Sequence, residues 1–205
     1  MSKVERIKCG TGNCYIVTEG KNAILVDTGS KDNLSDVTAV CDKYDLKLIV
    51  LTHTHFDHAE NAAELSRKYD VPVAIHKADD ELFDDANRQP LKSWGAVGAV
   101  ILGFSKSKLR TIKVERPSNL IFVKEGDSLR DYGIDAKIVE LPGHTTGSIG
   151  VDVEERDLIV GDALDNWIKP STGHLYFDRE ALEKSAAKIK DLGVRTLYYG
   201  HGDPT

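Results

Sequence analysis

The sequence predicts an α+β chain arranged as a four-layer αββα sandwich. Short, continuous apolar runs mark strands buried on both faces. Between them lie segments whose apolar residues recur at helical spacing. Two such βα-rich halves flank a less regular stretch at about residues 77–119. Periodicity alone specifies only a mixed α/β chain, and the paired halves suggest the layering. We read residues 1–205 as a single domain with an insertion at about 77–119.

The elements follow in order. Tyr15-Ile16-Val17 and Ala23-Ile24-Leu25-Val26 are β-prone runs joined by a turn at Gly20-Lys21-Asn22. Asp27-Thr28-Gly29 ends the second strand abruptly. Leu34, Val37, Val40, Cys41 and Tyr44 share a helical face, with Asp32 or Asn33 available as a cap. Leu48-Ile49-Val50-Leu51 reads as a buried strand. A helix is expected over about 57–69, with Ala62, Leu65 and Tyr69 inward. Val71-Pro72-Val73-Ala74-Ile75 is a further strand.

Within the insertion, an acidic helix is expected around 79–86. An apolar segment over 94–104 and a basic run over 106–113 follow. The apolar segment suits a helix packed on the sandwich, a pocket wall or lid, or the contact of a homodimer. Short strands are expected at 120–123, 136–141, 149–153 and 158–160. A final helix at about 178–192 places Leu182, Ile189 and Leu192 inward, with Gly193 at its C-terminal cap. The last strand, 196–199, ends at Gly200-His201-Gly202.

Composition narrows the function. The 27 Lys and Arg against 33 Asp and Glu give a net charge of -6, which argues against a nucleic-acid partner. The longest uncharged stretch, Ser93 to Ser105, is 13 residues, too short to span a bilayer, so no membrane partner is expected. The charged N-terminus, MSKVERIKCG, is unlike a signal peptide, and a cytoplasmic location is expected. Cys9, Cys14 and Cys41 are odd in number and are read as reduced thiols.

Chemistry concentrates in His53-Thr54-His55-Phe56-Asp57-His58, directly after a buried strand. His53 and His55 can grip one cation from an extended turn, while Asp57 and His58 can face a second. Imidazole with carboxylate suits Zn, and also Fe or Mn. Three further strand ends repeat one pattern: an apolar run, a glycine, then a ligand-type side chain. They deliver His144, Asp162 and His201.

On Asp27-Thr28-Gly29, the hexapeptide, Gly143-His144-Thr145, Gly161-Asp162 and Gly200-His201-Gly202, the chain resembles the metallo-β-lactamase-fold hydrolases, and their glyoxalase-II-like branch most. The resemblance implies that His53, His55 and His144 bind one metal and that Asp57, His58 and His201 bind another. Asp162 would bridge them, and Asp27 would fix the tautomer of a ligand histidine. The implied activity is that of a dinuclear hydrolase of small thioesters, esters or lactones, acting through a metal-bridged hydroxide. The two metal ions would be Zn first, with Fe or Mn as alternatives. A mononuclear iron persulfide dioxygenase, or a ribonuclease or phosphodiesterase of the same fold, is the alternative reading.

The bridging Asp162 speaks against β-lactam hydrolysis. No helical domain of the kind that holds glutathione is expected after His201. Asp57 or a pocket residue would deliver a proton to the leaving group, and Tyr176 would donate to an oxyanion. Lys169, Trp167 and Trp94 are candidate substrate contacts. His76 and His174 carry no assigned ligand role, although His174 lies in the same loop after Asp162.

Overall fold

In the computed structural model, which describes residues 1–205 and all side chains except those of Leu109 and Arg110, two sheets face each other. The first contains β1 (Lys3–Cys9), β2 (Gly12–Glu19), β3 (Asn22–Val26), β4 (Asp45–Val50), β5 (Val73–His76) and β7 (Leu120–Val123), adjacent in that order. Its first three strands are antiparallel, and β3, β4, β5 and β7 run parallel. The second sheet has the order β14 (Thr196–Tyr199), β10 (Asp157–Gly161), β9 (Ile149–Val153) and β8 (Ala136–Glu140).

Strand alternation builds the layers, because neighbouring side chains leave a strand on opposite faces. Tyr15, Val17, Ile24, Val26, Leu48 and Val50 turn inward against Ile138, Val151 and Ile159 of the second sheet. Cys14, Ile16, Leu25 and Ile49 turn outward. There they meet Val37 and Cys41 of α1 (Leu34–Cys41) and Ala62 and Leu65 of α3 (Ala62–Tyr69). On the far side, Val139, Leu158 and Val160 receive Leu182 and Ile189 from α5 (Arg179–Asp191). Asp178 caps α5 by accepting the Ala181 N–H at 3.1 Å. Each fully buried Leu or Ile contributes about 1.5–3 kcal/mol to this stacking. The layers are helix, sheet, sheet, helix, as the sequence predicts.

Three local readings need correction. The helix expected over 57–69 is two helices, α2 (Phe56–Ala59) and α3, separated at Glu60 and Asn61. The Asn61 amide donates to the carbonyls of Thr28 (2.9 Å) and Ser30 (2.8 Å), which holds the break against the loop after β3. The acidic segment at 79–86 forms 3-10 turns, Lys77–Phe83 and Ala86–Arg88, in place of an α-helix. Strand β1, which the sequence reading passed over, pairs along its whole length with β2.

The apolar and basic segments of the insertion merge into one helix, α4 (Gly95–Thr111). The Leu109 and Arg110 side chains of that basic run lie outside the described residues. Short ladders join β6 (Lys92–Ser93) to β13 (Leu175–Tyr176) and β11 (Leu164–Asp165) to β12 (Ser171–Thr172). Among the described residues, no helix is long and apolar enough to cross a membrane.

Candidate metal centre

Ends of strands from both sheets converge at one edge of the sandwich. Asp27 follows β3, His53 lies three residues past the end of β4, and Asp162 and His201 follow β10 and β14. Asp27 has φ 60, a left-handed backbone that non-glycine residues seldom adopt. That bend sets its carboxylate against the next strand end. Oδ1 accepts the Thr52 N–H at 2.8 Å, and Oδ2 accepts the Thr52 hydroxyl at 2.8 Å. His58 Nδ1 lies 2.9 Å from the same Oδ2 and donates to it.

The other imidazoles are anchored in the same way. His53 Nδ1 meets the Thr52 hydroxyl at 3.1 Å. His144 Nδ1 donates to the Leu175 carbonyl at 2.9 Å, and His201 Nδ1 donates to the Thr11 carbonyl at 2.8 Å. With Nδ1 committed, each ring turns Nε2 towards its neighbours. His55 is reversed: its Nδ1 faces His144 Nε2 at 2.9 Å. Gly200 clears the space, since a Cβ there would collide with the Asp162 carboxylate.

Three overlapping triads result: His53, His55 and His144; His53, His58 and Asp162; Asp57, His58 and His201. Within each, the ligand atoms lie within 4.8 Å of one another. Asp162 touches both ends of the cluster, at 3.5 Å from His144 Nε2 and 3.4 Å from His201 Nε2. His53 Nε2, His58 Nε2 and Asp162 Oδ1 are buried without a hydrogen-bond partner. Such atoms cost about 1–3 kcal/mol each when nothing satisfies them. Cations held within the cluster would satisfy these atoms, so the donor set fits divalent metal.

The electrostatics divide the cluster. Burial, reinforced by neighbouring imidazoles, holds His53 and His55 well below the usual histidine range, and burial also lowers His144. Those three are neutral, the form that binds metal. Burial also opposes a charge on His58 and His201, but carboxylates outweigh it. Asp162, Asp27 and Asp57 raise His58 to about 10, and Asp162 and Asp57 raise His201 to about 9. Burial would raise Asp162, yet His201, His58 and His144 hold it well below the carboxylate range.

A cleft opens over the cluster. Asp57 and Trp167 line it, and the Trp167 indole stacks on His201 at 4.8 Å and 17°. Three other predicted contacts do not line it. Lys169 is exposed, carried outward between β11 and β12. In β13, alternation points Leu175 into the cleft and packs Tyr176 on the core behind it. Trp94 lies behind the wall, where its Nε1–H donates to the Gly173 carbonyl at 2.9 Å. Phe56, Leu91, Ile101 and Leu175 form apolar lining, with Ile101 coming from α4.

His174, to which the sequence assigns no ligand role, and Asp165, which it does not single out, also line the cleft. A histidine following a glycine in the loop after Asp162 was their only signal. The cysteines stand apart: all three are buried free thiols, and Cys9 Sγ lies 3.2 Å from Cys14 Sγ.

Comparison with known proteins agrees with this geometry. A family model described as the metallo-beta-lactamase superfamily matches residues 7–201. The chain is 27% identical over 202 residues to a probable metallo-hydrolase, MJ0888, of Methanocaldococcus jannaschii, covering 94% of this chain and 88% of that one. It is 28% identical over 202 residues to the hydroxyacylglutathione hydrolase GloC of Haemophilus influenzae, covering 94% and 86%. Among solved structures it is similar to TTHA1623 in a di-iron-bound form, with TM-score 0.70 and 24% identity over 99% of this chain and 93% of that one. The archaeal metallo-beta-lactamase superfamily protein ST1585 from Sulfolobus tokodaii gives TM-score 0.72 and 19% identity, covering 98% and 80%.

Proposed function

The chain belongs to the metallo-beta-lactamase superfamily, and from that premise we propose that it is a dinuclear metal-dependent hydrolase of small esters, thioesters or lactones. The carrying observation is the convergence of three ligand triads that share His53 and His58, each closed by imidazoles anchored through their far nitrogens. His53, His55 and His144 would hold one ion, and Asp57, His58 and His201 the other. Asp162 reaches ligands of both groups and would lie between the ions. Zn is the first choice, with Fe or Mn compatible with the same donors.

Bound there, two divalent ions would acidify a water and neutralise charge growing on a carbonyl oxygen. The protein does the rest. Asp27 and Thr52 fix the rings of His58 and His53. The Thr11 and Leu175 carbonyls fix His201 and His144. The apolar lining excludes water from the acyl group, and Trp167 closes the cleft beside His201. The GloC relative is named a hydroxyacylglutathione hydrolase, which places a thioester among the first substrates to try.

Elemental analysis of purified protein, paired with an ester, thioester and lactone panel, tests the reading. We expect two metal ions per chain and hydrolysis of at least one class. One iron per chain with oxygen consumption on a persulfide would overturn it in favour of the dioxygenase alternative.

A further inference from the structure

Beyond the metal ligands, a second pair of titratable side chains opens on the cleft: Asp165 at the end of β11 and His174 just before β13. His174 Nδ1 lies 2.7 Å and 2.9 Å from the two Asp165 oxygens and donates to them. The His174 backbone N–H donates to Asp165 Oδ2 at 2.8 Å, and the Ser171 hydroxyl donates to Oδ1 at 3.1 Å. The Trp94 indole lies flat on the imidazole, 4.7 Å between centroids and 5° from parallel. Orientation is thus set by a carboxylate and by an aromatic face. Nε2 makes no hydrogen bond to another described residue.

Both chain neighbours of His174 are fixed against metal-ligand segments. A Cβ on Gly173 would collide with the Asp162 carbonyl. The Leu175 carbonyl accepts from His144 Nδ1. The dyad therefore sits beside the metal cluster without belonging to it.

We propose that His174, positioned by Asp165, donates a proton from Nε2 to the leaving oxygen of an oxyester or lactone, and that such oxygen esters are the preferred substrates. This rests on the hydrolase reading above. In the step, water gives up one proton and adds to the acyl carbon. The bond from that carbon to the departing oxygen then breaks, and its electron pair stays on the oxygen, which takes the Nε2 proton. The proton surrendered by water returns to the imidazole through solvent. One water is consumed, and one acid and one alcohol form.

The chemistry explains the preference. An alkoxide is about as basic as hydroxide, whose conjugate acid has a pKa near 15.7, and it leaves poorly without a proton. A thiolate, whose thiol has a pKa of about 8.5, leaves unaided. A positioned acid contributes roughly 10²–10⁴-fold, and only where the leaving group needs it. The apolar lining of Leu91, Ile101 and Leu175 suits an aliphatic chain on either side of the ester.

The test uses metal-loaded protein and three substrates with one acyl group: an alkyl ester, a phenyl ester with an acidic phenol, and a thioester. His174→Gln should lower kcat on the alkyl ester about 100-fold while leaving the thioester and phenyl ester within threefold, at unchanged metal content. Asp165→Asn should give the same ordering with a smaller loss. Nitrogen-15 spectra of the wild-type imidazole, recorded where the alkyl ester is hydrolysed, should show protons on both ring nitrogens: on Nδ1, as the contact with Asp165 requires, and on Nε2, the one transferred. Equal losses on all three substrates, no loss on the alkyl ester, a wild type active on the thioester alone, or a proton absent from either ring nitrogen would each overturn the proposal. A wild type inactive on all three would instead overturn the hydrolase reading beneath it.

Discussion

The floor and the wall of the cleft hold their side chains by different means. On the floor, His53, His55, His58, His144 and His201 are all at most 8% exposed, and four of the five have Nδ1 tied to a named partner. On the wall, ladders of two residues, β11 with β12 and β6 with β13, carry the loop after Asp162. Ile168 there is 81% exposed, and on α4 Val100 and Phe104 are 60% and 81% exposed. Elements with little burial open and vary at low cost, whereas a side chain fixed from several sides is intolerant of change. The comparison teaches that the candidate ligand set is held by the anchored floor; on the proposed function, selection among substrates would fall to the wall.

The sharpest way to break that division is His53→Ala. His53 enters two of the triads, so we expect loss of bound metal and at least about a thousandfold fall in kcat, read by elemental analysis and steady-state kinetics. A variant retaining both metals and near-normal activity would put the chemistry elsewhere. His58→Ala should be more selective, taking the metal count from two towards one.

Asp27→Asn should come next. The neutral amide no longer holds the His58 N–H as a carboxylate does, and metal affinity should weaken by roughly 10–100-fold in a competition titration with a chelator.

A smaller effect tests what the floor costs in stability. Burial pushes the Asp79 carboxyl up to about 6, against the opposing hydrogen bonds from Thr145 and the Gly147 N–H that brace the turn after His144. An unfolded aspartate titrates near about 3.9. Between about pH 4 and pH 6 the native state therefore keeps a proton that the unfolded chain has released, and stability falls as pH rises through that window. Asp79→Asn removes this contribution. Its stability relative to wild type should improve by on the order of 2 kcal/mol from pH 4 to pH 7 in urea titrations. A difference that stays flat with pH would show that Asp79 ionises normally.

The smallest effects should come from two residues that do not line the cleft. Lys169→Ala and Tyr176→Phe should each leave kcat/KM within about twofold, since ordinary surface changes move energies by only about 0.5 kcal/mol. A tenfold loss at either would extend the site beyond the cleft as described.

The same division explains what could be read before the structure. The hexapeptide concentrates its ligands within six positions, and the apolar run, glycine, ligand pattern repeats at strand ends. Both signals are local, so the floor was legible. The anchors of His144 and His201 are main-chain carbonyls of Leu175 and Thr11, which carry no residue signature. His174 and Asp165 stand nine residues apart across a loop without periodicity, and only the fold of that loop joins them. Tyr176 was misplaced because a two-residue strand is too short for its inward face to show in the sequence. The break between α2 and α3 is likewise tertiary, made by Asn61 reaching to the loop after β3.

The anchoring of His201 has a consequence for how the protein is made. Its ring is oriented by the Thr11 carbonyl, and Asn13 holds the adjoining turn through Gly200 and Gly202, across separations of 187 to 190 residues. A chain synthesised from its N-terminus has the first hairpin and the hexapeptide long before it has the strand that delivers this ligand. Contacts of such long range close late, because the loop entropy must be met before they form. The triad of Asp57, His58 and His201 is thus the last to be completed, after the all-histidine triad of His53, His55 and His144.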